Sequence, residues 1–497
     1  MNQFAATANL MIRLGPGVFT TKGYADGVAG GWQAKPGMKI LGSGVAVTKL
    51  QLSGVTQNGV QYFVVGHDLA TANLAVAPVD AFEISDLEID CGSNIAATSA
   101  YGAIRIMGSH ARIRRVRATN WGTRDSTKQC YVFSLITAIP NATPNALEAV
   151  NTGIEDCYAI TPGTIVAGGK VTIINVGGHD NIGFPKELHA KSPFIRNCYV
   201  DCGVTTPDPD PATAKFRGLA MGWCRGGVVE GNQVYNTDIA GPFQDQRSVR
   251  DIIVRNNFFK NVACGPFFDL GQASSALTGT PTISWVGSVG TVNGLNTGGM
   301  AYLGAGDRVA LATNQASVTG VYAIQNVTAT TFEIVTKVAS PPATTITSVK
   351  KLLSVGRATV EGNTIEVAPS VSLVGVAFQV DDNNGGGTPY VERPDYAHGD
   401  IIFRNNKVRY VDGVFKSTNL GFCSDVRGAK NLQVQNNVVD CAPANPLRNS
   451  RCGAATYFND LTPLGLLVQG YNAETAKKYD ELATLTEDAF VMAYWEQ

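Results

Sequence analysis

Charge is what this sequence has little of. Asp, Glu, Lys and Arg make up 16 % of its 497 residues, against roughly 25 % in an ordinary soluble domain. Neither sign dominates, because 39 Lys and Arg face 40 Asp and Glu for a net charge of −1. A nucleic-acid binder needs a basic excess, so that partner class is excluded. An acidic disordered chain is excluded as well, since 44 % of the residues are apolar and supply a core. Long apolar runs are missing too: none reaches the roughly 18 residues of a membrane span, so no membrane insertion is expected. Met1-Asn2-Gln3-Phe4 has no basic stretch leading into an apolar one, so no secretory signal is visible. The 10 cysteines are spread from Cys91 to Cys452 without a CxxC pair or zinc-type spacing, and read as buried free thiols. Phosphate-binding loops and Gly-x-Ser-x-Gly elbows are absent.

What is present is a repeat. A six-residue phrase alternates apolar and polar residues around a central polar or Asn position. Copies begin at Ile84, Ile113, Ile154, Ile195, Val229, Val254, Val360, Phe403 and Val434. Successive copies are 29, 41, 41, 34, 25, 106, 43 and 31 residues apart. Apart from the 106, these separations fit one coil of a solenoid with loops of variable length. The alternation has period two and the phrases are short and β-branched, so the repeating element is a strand.

The fourth position of the phrase changes type along the chain. It is Cys157, then Cys198, then Asn232, Asn257, Asn363, Asn406 and Asn437. Equivalent positions of stacked coils lie about 4.8 Å apart, so Asn amides there can hydrogen-bond along the stack and satisfy turn backbone groups. Asn also suits left-handed bends, and a structural ladder is the expected role of this row.

These phrases resemble the right-handed parallel β-helix of the pectate-lyase-like superfamily, which includes polygalacturonases, pectate lyases and phage tailspikes. The segments Met11 to Phe19 and Lys35-Pro36-Gly37 through Gly42-Ser43-Gly44 are similar to the strand, Pro-Gly turn and Gly-x-Gly turn that open that family's first coils. The family's helical cap, which precedes this signature, has no counterpart in the sequence. The resemblance implies an all-β fold: a right-handed parallel β-helix (solenoid) with an inserted small β-barrel or sandwich module and a helical C-terminal cap. The expected organisation is opening coils over 1–80, β-helix over 81–274, the insert over 275–354, β-helix again over 355–454 and the cap over 455–497. The insert accounts for the 106-residue separation and is rich in Thr, Val, Ala and Gly, with short strands at 304–311, 320–324 and 328–335. Asn472 reads as an N-cap, with helical periodicity over 473–483 and 487–496. A cap there covers the open strand edges at the solenoid's end.

Two copies of Gly-Pro-Phe-x-Asp, at 241–245 and 265–269, are 24 residues apart and so fall on consecutive coils. Asp245 is therefore expected to stack near Asp269, where mutual repulsion pushes one carboxyl's pKa upward. Paired carboxylates of this kind serve glycoside hydrolysis. The parity that Asp245 shares with Phe243 allows both to point inward, and Arg247 can neutralise the charge. Asp245 and Asp269 are the candidate catalytic residues, with Asp238 and Arg247 beside them. The resemblance does not carry over polygalacturonase catalysis, because Asn236-Thr237-Asp238 lacks the family's later Asp-Asp at the right distance and its Gly-His-Gly. Lyase chemistry needs Ca²⁺; the oxygen-rich stretches at Asp208-Pro209-Asp210 and Asp381-Asp382 lack a calcium-loop spacing. No other cofactor is expected. Among the 5 histidines, His179 in a Gly-rich loop is the best placed for chemistry.

The expected function is action on an extracellular polysaccharide, as a glycosidase or lyase in the manner of a phage tailspike, at the cell exterior or virion surface. The alternative is a non-catalytic structural or receptor-binding protein, such as a virion tail component or adhesin, using the β-helix as a rigid scaffold. By analogy with virion β-helices, a homotrimer or larger virion assembly is the expected association.

Overall fold

The structure is a computed structural model. The residues it describes are 9–25, 32–67, 78–92, 97–139, 147–178, 190–208, 215–243, 249–268, 277, 279–296, 300, 303–305, 307–352, 355–368, 376–380, 398–410, 422–427, 429–440, 447–450, 454–458, 460–462, 465–468 and 471–473. Nearly all of their strands belong to one large, predominantly parallel sheet wound into coils: a parallel β-helix. Each full coil lays down three faces. The first face precedes the repeated bend and includes Phe194–Arg196, Arg357–Glu361 and Ala429–Gln435; the second follows it and includes Tyr199–Asp201 and Thr364–Val367. The third includes Ala100–Met107, Cys130–Ile139, Val171–Gly178 and Phe216–Gly222. Among the described residues no helix is long and apolar enough to cross a membrane.

The repeated phrase becomes one geometry. Its first residue forms an interior column in parallel register, Ile84 on Ile113 on Ile154 on Ile195 on Val229 on Val254 on Val360 on Phe403 on Val434. Every member is essentially inaccessible to solvent and part of one continuous core. Burial of apolar surface, at about 25 cal/mol per Å², makes this column the main adhesive between coils.

The left-handed bend falls on the third position, not on the fourth. Asp86, Arg115, Asp156, Asn197, Gly231, Asn256, Gly362, Asn405 and Asn436 all have φ between 50° and 68°. One residue in that region turns the chain while the fourth side chain swings into the tube. The fourth-position asparagines are therefore buried, and they form a ladder. Asn257 Oδ1 accepts from the Asn232 backbone N–H and from its Nδ2, each at 2.9 Å. Asn257 Nδ2 donates to Asn363 Oδ1 at 2.9 Å and to the Val229 carbonyl at 3.0 Å. The same pattern continues through Asn363 and Asn406 to Asn437. At its other end, Asn232 Oδ1 takes the backbone N–H of Cys198.

The second position of the phrase points outward on the first face and carries charge. In register there lie Arg114, Glu155, Arg196, Glu230, Arg255, Glu361 and Arg404, so sign alternates at every coil. Arg114 lies 2.7 Å from Glu155, Glu230 sits 3.7 Å from Arg196 and 2.9 Å from Arg255, and Arg404 is 2.7 Å from Glu361.

Val254 pairs directly with Val360, so the coil stack runs on across the long separation. Between them, strands from Gly279–Val286 to Ile346–Leu352 make two three-stranded sheets with antiparallel pairing. These enclose a hydrophobic cluster of their own, including Val309, Tyr322, Phe332 and Val349. Asp307 in this segment meets Arg250 of the β-helix at 2.9 Å and the buried Lys351 at 3.0 Å.

The described part of the C-terminal region, up to residue 473, is strand. Ala454–Phe458 continues the parallel stack on Ala429–Gln435, and Asp460–Thr462 pairs in parallel with Val438–Asp440. Tyr471–Ala473, where Asn472 was expected to open a helix, instead runs antiparallel against Ala454–Phe458. At Asn472 itself, pairing with an available strand edge is what the chain adopts. The expected helices beyond residue 473 lie outside the described residues.

Candidate functional site

Asp245, Arg247 and Asp269 lie outside the described residues, as do His179, Asp381 and Asp382. Phe243 bridges in parallel to Phe267 and to Ala220, so the expected 24-residue register holds immediately before the two aspartates. Of the orientations that strand parity leaves open, Phe243 takes the one outside the main core. Phe243 and Phe267 belong to a separate buried cluster with Ile239 and Cys264, while Phe268 belongs to the main core. The rings of Phe243 and Phe267 lie 5.6 Å apart, tilted by 40°, and the Arg217 guanidinium lies 4.1 Å above Phe243. Gly241 permits this path: at φ 95°, a Cβ there would stand 2.0 Å from the Leu219 carbonyl oxygen.

Asp238 is almost fully buried, and its oxygens are occupied. Oδ1 accepts the N–H of Asp208 at 2.8 Å, and Oδ2 those of Lys215 and Phe216 at 2.7 and 2.9 Å. Burial raises its pKa above the ordinary carboxylate value, against the opposing pull of these three N–H groups. Thr237 donates to the Phe216 carbonyl, and Asn236 occupies a left-handed bend at φ 54° while donating to Asp201. Thr237 and Asp238 thus fasten the chain at residues 208 and 215–216, while Asn236 ties to the preceding coil at Asp201.

The outward side of the third face carries a covered polar row. Arg105, Ser134 and Asn175 stack in register, each less than a tenth exposed. Asn175 Nδ2 donates to Ser134 Oγ at 3.1 Å, and Arg105 Nη1 donates to Gln61 Oε1 at 2.8 Å. The Arg105 guanidinium lies between the rings of Phe63 and Tyr131, at 5.6 and 5.7 Å.

The second face bears an open row that the sequence reading missed. Tyr158, Tyr199, Tyr235 and Phe258 point outward on four consecutive coils, with ring-centroid separations of 6.4, 5.1 and 5.8 Å. Tyr158 is 44 % exposed and the other three are half-buried. Exposed Gln233 and Lys260 lie in register with Tyr199 and Tyr235 respectively. Gln233 Oε1 accepts the Tyr235 hydroxyl at 3.1 Å. Partial burial, with the negative charge of Asp201 nearby, raises the Tyr199 and Tyr235 hydroxyl pKa values, so both stay protonated donors. The signal was present: the fifth position of the phrase has outward parity, and it is aromatic at Tyr158, Tyr199 and Phe258.

The described residues contain no group of three or more His, Cys, Asp or Glu arranged to hold a metal ion. Cys91, Cys130, Cys157, Cys198, Cys202, Cys224 and Cys264 are buried free thiols. Burial pushes Cys130, Cys202 and Cys224 up to about 12, which removes the thiolate that redox or nucleophilic chemistry requires.

No protein-family model matches the chain. No curated protein matches it either. Among solved structures it is similar to the A-module of the Azotobacter vinelandii mannuronan C-5 epimerase AlgE4, at 10 % identity and a TM-score of 0.31, over 92 % of this chain and 79 % of that one. It is similar to PfbA, a surface adhesin of Streptococcus pneumoniae, at 12 % identity and a TM-score of 0.37, over 95 % and 85 % of the two chains. A third likeness is to ORF18 of Geobacillus virus E2, at 10 % identity and a TM-score of 0.21, over 69 % and 70 %. At such identities and scores, what the chain is rests on its own strand pairing: it is a parallel β-helix.

Proposed function

We propose that this protein engages an extended extracellular polysaccharide along the side of its β-helix, with Asp245 and Asp269 as the carboxylates of a glycosidase- or lyase-type site. The observation that carries the reading is the lateral register. Successive coils present equivalent positions one strand spacing apart, about 4.8 Å, a track that suits a polymer of repeating units. Phe243 on Phe267 keeps this register at a 24-residue interval, and the same interval separates Asp245 from Asp269. Fold alone does not decide chemistry. A second reading, a non-catalytic scaffold or adhesin, is favoured by Asp238, whose oxygens are engaged by the backbone N–H groups of Asp208, Lys215 and Phe216.

A depolymerisation assay over neutral and acidic polysaccharides separates the two. The enzymatic reading expects new reducing or unsaturated ends from the native protein. It expects Asp245→Asn and Asp269→Asn each to lower the rate at least about 100-fold, the scale of a lost general acid or base. Equal rates in native and variant proteins remove the pair from the mechanism. An inactive native protein that still binds polymer establishes the scaffold reading.

A further inference from the structure

We infer that the outward aromatic row of Tyr158, Tyr199, Tyr235 and Phe258 is a carbohydrate-binding strip on which sugar rings of a weakly charged polysaccharide stack, with the polymer lying along the coil axis. The inference rests on the reading that the ligand is a polysaccharide, and it is independent of whether the protein cleaves it. Large aromatic side chains left partly in solvent forfeit some of the stabilisation that burial gives them, so a contiguous, partly exposed row marks a contact surface. This row is contiguous: neighbouring centroids are 5.1 to 6.4 Å apart and each ring comes from the next coil.

Aromatic faces carry negative quadrupole density and attract polarised C–H groups, which the axial hydrogens of a pyranose supply over a flat apolar face. A sugar also needs hydrogen bonds at its rim. Gln233 and Lys260 are exposed beside the rings, the Tyr199 hydroxyl stays a protonated donor, and the Tyr235 hydroxyl holds Gln233 in place. Four coils span three strand spacings, about 14 Å, the reach of a short oligosaccharide. Charge selects the ligand class. Lys260 and Asp201 flank Tyr235 with opposite signs, so the strip favours neither a polyanion nor a polycation. A nucleic-acid strand, whose bases also stack on aromatic faces, would need a cationic track along its backbone.

Affinity electrophoresis of the full chain through gels containing a neutral glucan, a galactomannan, a xylan or a polyuronate tests this. The native protein is expected to be retarded by a neutral polymer more than by the polyuronate. Tyr158→Ala and Tyr235→Ala are each expected to weaken retardation by roughly ten-fold, the worth of one aromatic contact. Tyr158→Phe keeps the face and is expected to bind as the native chain does. Thermal melting confirms that the variants are folded, and Tyr158, the most exposed ring, is the substitution least able to disturb the core. Undiminished retardation of folded Tyr158→Ala and Tyr235→Ala overturns the inference. So does a native chain retarded by none of the polymers, one that binds single-stranded oligonucleotide through the same residues, or one whose self-association is what Tyr158→Ala abolishes. Retained retardation in Asp269→Asn, with loss only in the tyrosine variants, separates the strip from the catalytic site.

Discussion

Replacing Asn257 by alanine tests the interior ladder at its centre. The Asn257 amide makes four hydrogen bonds inside the tube: two accepted from Asn232, one donated to Val229 and one to Asn363. Its removal strips partners from the Asn232 backbone N–H, an Asn232 side-chain N–H and the Val229 carbonyl. At about 1–2 kcal/mol for each buried group left unsatisfied, the cost is about 3–6 kcal/mol. Because the amides polarise one another along the row, the upper half of that range is expected. A solenoid's stability is close to a sum over neighbouring coils, so the loss should be local. Hydrogen exchange is the suitable assay. The amides of Asn232 and Asn257 should exchange at least about 100-fold faster in the variant, the factor that 3 kcal/mol commands. Exchange at the Ile113 and Ile154 coils, several repeats away, should change little. Asn257→Asp preserves shape and acceptor but turns an oxygen toward the Val229 carbonyl, and should be at least as damaging. If Asn257→Ala accelerates exchange at Asn232 by less than about five-fold, near 1 kcal/mol, the ladder is not an energetic spine and the reasoning fails.

Two further outcomes follow from charged groups. Glu230→Lys removes contacts to Arg196 and Arg255 and leaves three cations on consecutive coils; since the groups are partly exposed, a loss of about 1–2 kcal/mol is expected, shrinking in high salt, and an unchanged melting temperature at low salt refutes it. Arg115 beside Asp86 holds that carboxyl below its ordinary pKa, so the pair's contribution is present above the unfolded-state value and is lost as pH falls through the folded-state one. Asp86→Asn should therefore lower stability at pH 7 by about 0.5 kcal/mol, after discounting for solvent screening, and make no difference in strong acid. An equal effect at both pH values contradicts the assignment.

The coil and its core column were legible because an apolar residue at the head of each phrase must face inward once strands stack. The Asn ladder was legible for the same reason, as a row of identical amides in register. The bend was misplaced by one residue. The left-handed position carries Asp, Arg, Asn or Gly in different coils, and that mixture conceals a shared geometry that the uniform fourth position seemed to offer. The outward charges were present as Arg-Glu alternation at the second position, but ion pairing across 25 to 43 residues becomes visible only when coils are laid on one another. Parity alone left the direction of Phe243 open, because Gly241 turns the chain just before it. The strands between Ala454 and Ala473 were hidden because their pairing partners lie elsewhere in the sequence.

The charge ladder on the first face also limits how such a molecule can grow. Each charge from Glu155 to Glu361 is flanked above and below by its opposite, and the order persists across the long excursion between Arg255 and Glu361. Deleting one coil would bring like against like at the new junction, as would duplicating one. Removing or adding two restores the sequence of signs. Lengthening and shortening by recombination are thereby biased toward even steps, and a chain folding with its strands slipped by one coil meets repulsion along that side. A large inserted segment leaves this parity untouched, because it enters and leaves between two coils that remain neighbours.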